Sequence, residues 1–150
     1  MAQTLVNILV HTVFSTKHRA DLIAPEIEPE LYAYLGGILR QQQSRLLAAG
    51  GTANHVHLLI SQSKNLALSA LMLELKKSSS RWIKTHGERF SSFHWQDGYG
   101  AFTIGASQIP VLKAYFARQK QHHQKRTFQQ EFVELLERYG VEYDEKYLWD

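Results

Sequence analysis

The chain has 150 residues, 44% hydrophobic and 21% charged, the balance of a globular protein with one core, which points to a single domain over residues 1–150. It contains no cysteine, which excludes disulfides, thiolate zinc sites and cysteine nucleophiles, and its apolar runs fall far short of a membrane span. The net charge of +3 is uneven: residues 127–150 carry seven acids against two bases, and residues 1–126 carry 15 bases against seven acids with all eight histidines. A body so basic suits a polyanionic partner, the alternative being a merely solvated basic surface.

Met1-Ala2-Gln3 leads into a strand-like segment without the basic and apolar blocks of a targeting signal, so a cytoplasmic location is expected. Leu5 to Phe14 alternates as a strand, with Val6, Ile8, Val10 and Phe14 on one face and Asn7 and His11 on the other. Ser15 to Pro25 reads as a polar loop carrying Lys17, His18 and Arg19. Glu26 to Gln43 has helical spacing through Ile27, Leu31, Tyr34, Leu35 and Ile38, with Pro29 confining its start. Arg45 to Ala49 and Ala53 to Ser61 read as strands, and Gly50-Gly51 between them as a hairpin signal.

On the second of these strands lies His55-Val56-His57. Residues two apart on a strand share a face, so Val56, Leu58 and Ile60 can line a core while both imidazoles project together from the other side. Two adjacent imidazoles make half of a metal site, since neutral imidazole is the commonest protein metal ligand. The same spacing also fits two surface histidines.

Asn65 to Thr85 predicts a long helix whose Leu68, Leu71, Met72, Leu75 and Trp82 form a core stripe. Lys76, Lys77, Arg81 and Lys84 fall towards another side, a phosphate-contacting or solvated face. Phe93 to Ile104 is aromatic and glycine-rich, a loop followed by a strand; Trp95 and Tyr99 there can stack unpaired bases or pack in the core. A helix follows from Ser107 to Gln124. At about 100° per residue, Ile109, Leu112 and Phe116 face the core, and Tyr115, Gln119 and His122 share its flank. Such a flank can border a cleft or simply leave a tyrosine hydroxyl in water. His123 falls nearer the core stripe. Thr127 begins a last helix, with Gln130 completing a capping box, Phe128, Phe132, Leu135 and Leu136 as its stripe and Gly140 as its stop. The order strand, helix, strand, strand, helix, strand, helix, helix predicts an α+β sandwich, an antiparallel sheet with helices packed on it.

The combination resembles the single-tyrosine HUH transposases of the insertion-sequence 200/605 type, which include repeat-associated tyrosine transposases. His55-Val56-His57 matches the two histidines flanking a hydrophobic residue, and Tyr115-Phe116-Ala117-Arg118-Gln119 matches the later Tyr-x-x-x-Gln pattern. Val13-Phe14-Ser15-Thr16-Lys17, Trp95 to Phe102 and Gln121-His122-His123 extend the likeness nearly end to end. The resemblance implies a ferredoxin-like (RRM-like) sheet carrying the histidines, with Tyr115 as nucleophile on a helix across a cleft. It implies that His55, His57 and the side-chain oxygen of Gln119 hold a divalent cation, Mn²⁺ or Mg²⁺, with His122 as an auxiliary. It implies cleavage and rejoining of single-stranded DNA at hairpin-flanked sites through a 5′-phosphotyrosine, with no nucleotide cofactor. It also implies a homodimer in which the tyrosine helix of one chain completes the histidine site of the other, hinged after Gly105. Lys17, Arg19, Lys76, Lys77, Arg81, Trp95 and Tyr99 are the candidate DNA contacts. A histidine-triad hydrolase would need a third histidine at position 59, where this chain has Leu59. A non-catalytic nucleic-acid-binding module on a ferredoxin-like sheet explains the charge and aromatics but not His55, His57, Tyr115 and Gln119 together.

Overall fold

The computed structural model describes residues 2–149. In chain order the main elements are β1 (Ile8–Ser15), α1 (Glu28–Gln41), β2 (Arg45–Thr52), β3 (His55–Gln62), α2 (Leu68–Lys84), β4 (Gly100–Thr103), α3 (Ile109–Ala117), α4 (Gln119–His122) and α5 (Phe128–Arg138). The strands form one antiparallel sheet in the order β2-β3-β1-β4. With α1 between β1 and β2, and α2 between β3 and β4, this is the ferredoxin-like arrangement that the sequence resemblance implied.

Strand alternation sorts the core into two halves. Phe14, Val56, Leu58 and Ile60 pack under Leu31, Leu35 and Leu39 of α1 and Leu71, Met72 and Leu75 of α2. On the opposite face Leu9, Val13 and Leu59 are covered by Phe116 of α3 and by Phe128, Phe132, Leu135 and Leu136 of α5. Both faces of the central strands are therefore buried, and the histidine face is no open surface.

Several boundaries differ from the sequence expectation. Leu5 and Val6 precede β1 and are exposed. The hairpin turns at Ala53-Asn54, and Gly50 and Gly51 lie within β2. Their small size serves close approach: a Cβ on Gly50 would sit 2.4 Å from the Phe116 carbonyl oxygen, and one on Gly51 2.2 Å from that of His55. The helix expected through Gln124 breaks at Arg118 (φ −100, ψ 10) and restarts as α4. Ser107 does not cap it; it lies in a single turn, Ala106–Gln108, where the Gln108 side chain accepts the Gly105 amide at 3.0 Å. Gly105 is extended at φ −90, so its backbone uses none of glycine's special freedom. At α5 the capping box forms as expected: Thr127 Oγ1 accepts from the Gln130 amide at 3.1 Å, and Gln130 Oε1 accepts from the Thr127 amide at 2.9 Å. Gly140 follows the helix with φ +65.

The seat of α3 on β2 thus depends on a missing side chain. Gly50→Val should destabilise the fold by about 1–3 kcal/mol through overpacking and loosen α3, lowering the melting temperature. A variant with unchanged melting would show that α3 does not rest on Gly50.

Candidate active site

Both predicted histidines are fully buried, and α3, α4 and α5 bring their partners over them. The centre of the cluster is Glu131, a residue that sequence reasoning missed, placed on the buried side of α5 by the same periodicity as Phe128 and Leu135. Its Oε1 lies 2.9 Å from His57 Nε2, 3.2 Å from His123 Nε2 and 3.5 Å from His55 Nε2. Its Oε2 accepts the Tyr115 hydroxyl and, at 2.9 Å, the Gln119 Nε2–H. The Tyr-x-x-x-Gln spacing carries Tyr115 and Gln119 to one carboxylate despite the break at Arg118.

The ligand atoms of His55, His57 and Glu131 lie within 4.8 Å of one another, the spacing of a metal site. The surrounding hydrogen bonds test whether a cation fits. Asn54 Nδ2 donates to the Arg19 carbonyl at 3.4 Å, which turns Asn54 Oδ1 towards His55 Nδ1 at 2.8 Å. His55 therefore donates from Nδ1, and the lone pair of its Nε2 points inward. That nitrogen faces Gln119 Oε1 at 2.8 Å, and the Gln119 amide is oriented by its bond to Glu131. Two acceptors so close repel unless positive charge lies between them. The donor set of two imidazole nitrogens, a carboxylate and an amide oxygen fits a divalent cation of the Mn²⁺ type, and Mg²⁺ with less preference.

Burial dominates the electrostatics. It acts to raise the Glu131 carboxyl, but hydrogen bonds from His123 and His57 outweigh it and hold the group well below the usual carboxylate range. Burial and the Glu131 charge push the Tyr115 hydroxyl above its ordinary value. His57 is lowered by burial, against the opposing pull of Glu131. His11 is lowered to about 3 by burial and by the neighbouring His57. In this arrangement Tyr115 is a protonated donor to a charged carboxylate.

His122 is half-buried with its ring 5.1 Å from that of Tyr115, a flanking position. His123, expected to be structural, reaches Glu131 and packs 4.5 Å from the His55 ring. The candidate DNA contacts divide. Trp95 is a core residue: it is 6% exposed, donates to Ser79 Oγ at 2.9 Å and packs edge-on to Phe14 and Phe93, the core-packing alternative for this side chain. Lys76 is likewise engaged within the fold. Its ammonium donates to the carbonyls of Gln96, Asp97 and Gly98, lies over the Phe14 and Tyr99 rings, and is lowered to about 8 by burial. All three of its protons are committed to the 96–98 loop, and Tyr99 is its partly buried neighbour. Lys77 and Arg81 are exposed on α2, across the sheet from the histidines. Lys17 is half-buried, its ammonium 3.8 Å from Asp97, and Arg19 donates to the Trp149 carbonyl at 3.3 Å.

A cleft of about 900 Å³ runs beside the site between the β2–β3 turn, the 17–21 segment and the α4–α5 linker. Arg19, Lys120, Lys125 and Arg126 line it, with His123 and Phe128 forming the wall towards His55. His18 and Arg19 at its rim hold left-handed backbone angles (φ 56 and 57), a strained arrangement for two successive non-glycine residues.

Comparison with known proteins agrees with this geometry. The chain is similar in structure to a protein of Deinococcus radiodurans R1 described as a "putative transposase", with a TM-score of 0.62 and 19% identity over 79% of this chain and 95% of that one. It is also similar to a REP-associated tyrosine transposase bound to a REP hairpin, with a TM-score of 0.57 and 15% identity over 82% of this chain and 74% of that one. At these identities the likeness establishes a shared fold. No curated protein matches the chain. No helix among the described residues is long and apolar enough to cross a membrane. The profile of the family "Transposase IS200 like" matches residues 4–119, a span that includes His55, His57, Tyr115 and Gln119, and the chain therefore belongs to the IS200-like transposases.

Proposed function

We propose that this transposase nicks and rejoins single-stranded DNA beside a hairpin through a 5′-phosphotyrosine on Tyr115. The observation that carries the reading is Glu131, whose two carboxylate oxygens bring the tyrosine hydroxyl and the histidine pair to one point. Tyr115 Oη attacks the scissile phosphorus and its proton passes to Glu131 Oε2. The new bond joins tyrosine to the 5′-side phosphate, the P–O3′ bond breaks, and the departing oxygen takes up a proton from water to leave as a 3′-hydroxyl. Rejoining is the reverse attack by a 3′-hydroxyl, and it conserves the energy of the phosphodiester. His55, His57, Glu131 and Gln119 would hold a divalent cation, which when bound would polarise the phosphate and offset its developing charge. The basic cleft along Arg19, Lys120, Lys125 and Arg126 supports a polyanionic strand lying beside His123, with phosphate contacts there fixing its register. Lys17 stays a surface contact, and Lys77 and Arg81 suit only DNA that wraps to the far face. The site of action is the cytoplasm, where the DNA is.

Tyr115→Phe should abolish the covalent protein–oligonucleotide band in denaturing electrophoresis while hairpin binding stays within a few-fold. A persisting adduct would move the nucleophile elsewhere.

Glu131→Gln keeps the shape but removes the proton acceptor and the anionic ligand. Single-turnover cleavage should fall by about 10²–10⁴, with Glu131→Ala at least as slow. Wild-type rates in Glu131→Gln would leave Glu131 a structural residue.

The resemblance implied a homodimer with exchanged tyrosine helices. Here Tyr115 already bonds the carboxylate of its own chain, which supports cleavage in cis whether or not chains pair. Mixing His57→Ala with Tyr115→Phe protein should then restore no cleavage. Recovery in the mixture would establish shared sites instead.

A further inference from the structure

We propose that His11 is the positioning residue for His57, holding that ring with its Nε2 towards the metal-binding centre both before and after a cation binds. The proposal rests on the metal-binding reading above. His11 lies on β1, where Val13 pairs with His57 and His11 pairs with Leu59, so the two histidines are diagonal neighbours on one sheet face. His11 Nε2 is 2.8 Å from His57 Nδ1, and both rings are buried. Phe102 and Phe116 flank His11, with ring centroids at 5.9 Å and 5.1 Å. Its other nitrogen, Nδ1, is buried without a hydrogen-bond partner among the described residues. A buried polar atom left unpaired destabilises the fold, so its presence requires a reason.

The reason lies in what His57 needs. In this structure His57 Nε2 faces Glu131 Oε1 at 2.9 Å and carries a hydrogen towards it. Neutral His57 must then accept at Nδ1, and His11 Nε2 donates. With a cation at Nε2, neutral His57 carries its hydrogen on Nδ1 and must donate, so His11 Nε2 has to accept. His11 can reverse its role because nothing fixes its far nitrogen: its own hydrogen moves from Nε2 to the unpaired Nδ1. Each ring shifts one hydrogen between its nitrogens, and the pair neither gains nor loses a proton. A carbonyl or carboxylate beside His57 Nδ1 could serve only the second state. His55 shows that contrast, since Asn54 Oδ1 already sets its Nδ1 as a donor.

Mn²⁺ binding to the DNA-free full chain, measured by calorimetry, tests this. His11→Phe keeps a ring between Phe102 and Phe116 but offers His57 no partner, and Mn²⁺ affinity should fall about 10- to 100-fold. His11→Gln presents an amide that can turn either oxygen or nitrogen to His57, and should recover binding to within a few-fold of wild type. A purely structural role would lower the melting temperature of the metal-free His11→Phe chain without this selective rescue. Should His11→Phe not fold, imidazole nitrogen chemical shifts of the unaltered chain decide, using Zn²⁺ as a diamagnetic probe. The protonated nitrogen of His57 should change from Nε2 to Nδ1 on loading. Wild-type Mn²⁺ affinity in His11→Phe, or a His57 that keeps the same protonated nitrogen throughout, would overturn the proposal while leaving the metal site standing. Failure of the unaltered chain to bind Mn²⁺ would overturn both.

Discussion

A charged carboxylate buried beneath three helices can persist only if every lone pair finds a donor or a cation. Glu131 meets that condition with His57 and His123 on one oxygen and Tyr115 and Gln119 on the other. Its partners come from β3, α3 and α4 and the residue after α4, while Glu131 itself is on α5. Satisfying one charge thus sets the relative placement of nearly every element on the histidine face. Apolar contacts from Phe116, Phe128 and Phe132 supply burial, but burial is non-directional and would tolerate small slides of these helices. The carboxylate would not.

The ferredoxin-like sheet supplies the fixed side of this arrangement. One face is an ordinary apolar interface with α1 and α2, and it holds the central strands rigid. On the other face the register between β1 and β3 puts His11 diagonal to His57, and that between β2 and β3 puts Gly50 opposite it. Gly50 lets the α3 backbone come close enough for Tyr115 to reach the site. The Trp95 to Gly98 block closes the far end of the sheet: Gln96 Oε1 accepts the Ser15 amide at 2.7 Å, and Lys76 gathers the following carbonyls. Residues that look like a nucleic-acid surface in one dimension are here the clamp that ends β1.

Stability and chemistry pull against each other at this centre. Tyr115 is most stable as a neutral proton donor to Glu131, a weaker nucleophile than its phenolate, and burial deepens that preference. His55 and Gln119 face each other as two acceptors, a local conflict in a protein whose other polar groups are mostly paired. Such conflicts are expected where function and packing compete. The conflict sits beside the basic cleft, where polyanion and cation would both arrive.

Beyond the joining of His55 and His57 with Tyr115 and Gln119, which the family resemblance implied, the sequence alone determined the element order, the α+β class, the Thr127 capping box, and the pairs His55 with His57 and Tyr115 with Gln119. All of these are carried by short-range periodicity or by motif spacing, which survive in one dimension. The tertiary structure decided what lies opposite each face. Val56 and His57 alternate on a strand whether one side of the sheet or both are covered, so nothing local revealed that the histidines are buried. Glu131 reads as one acid among seven in an acidic segment; its helical phase beside Phe128 and Leu135 was the available signal, but its partners lie up to 76 residues away. Gly50-Gly51 carries the composition of a turn, and only the approach of Phe116 shows it to be a packing site. Lys76 and Trp95 carried the residue types of a DNA surface, yet their contacts are set by a loop about 20 residues distant or by the sheet edge. Periodicity reports which residues share a side; which side meets water, and which charge meets which partner, depends on contacts between segments distant in the chain.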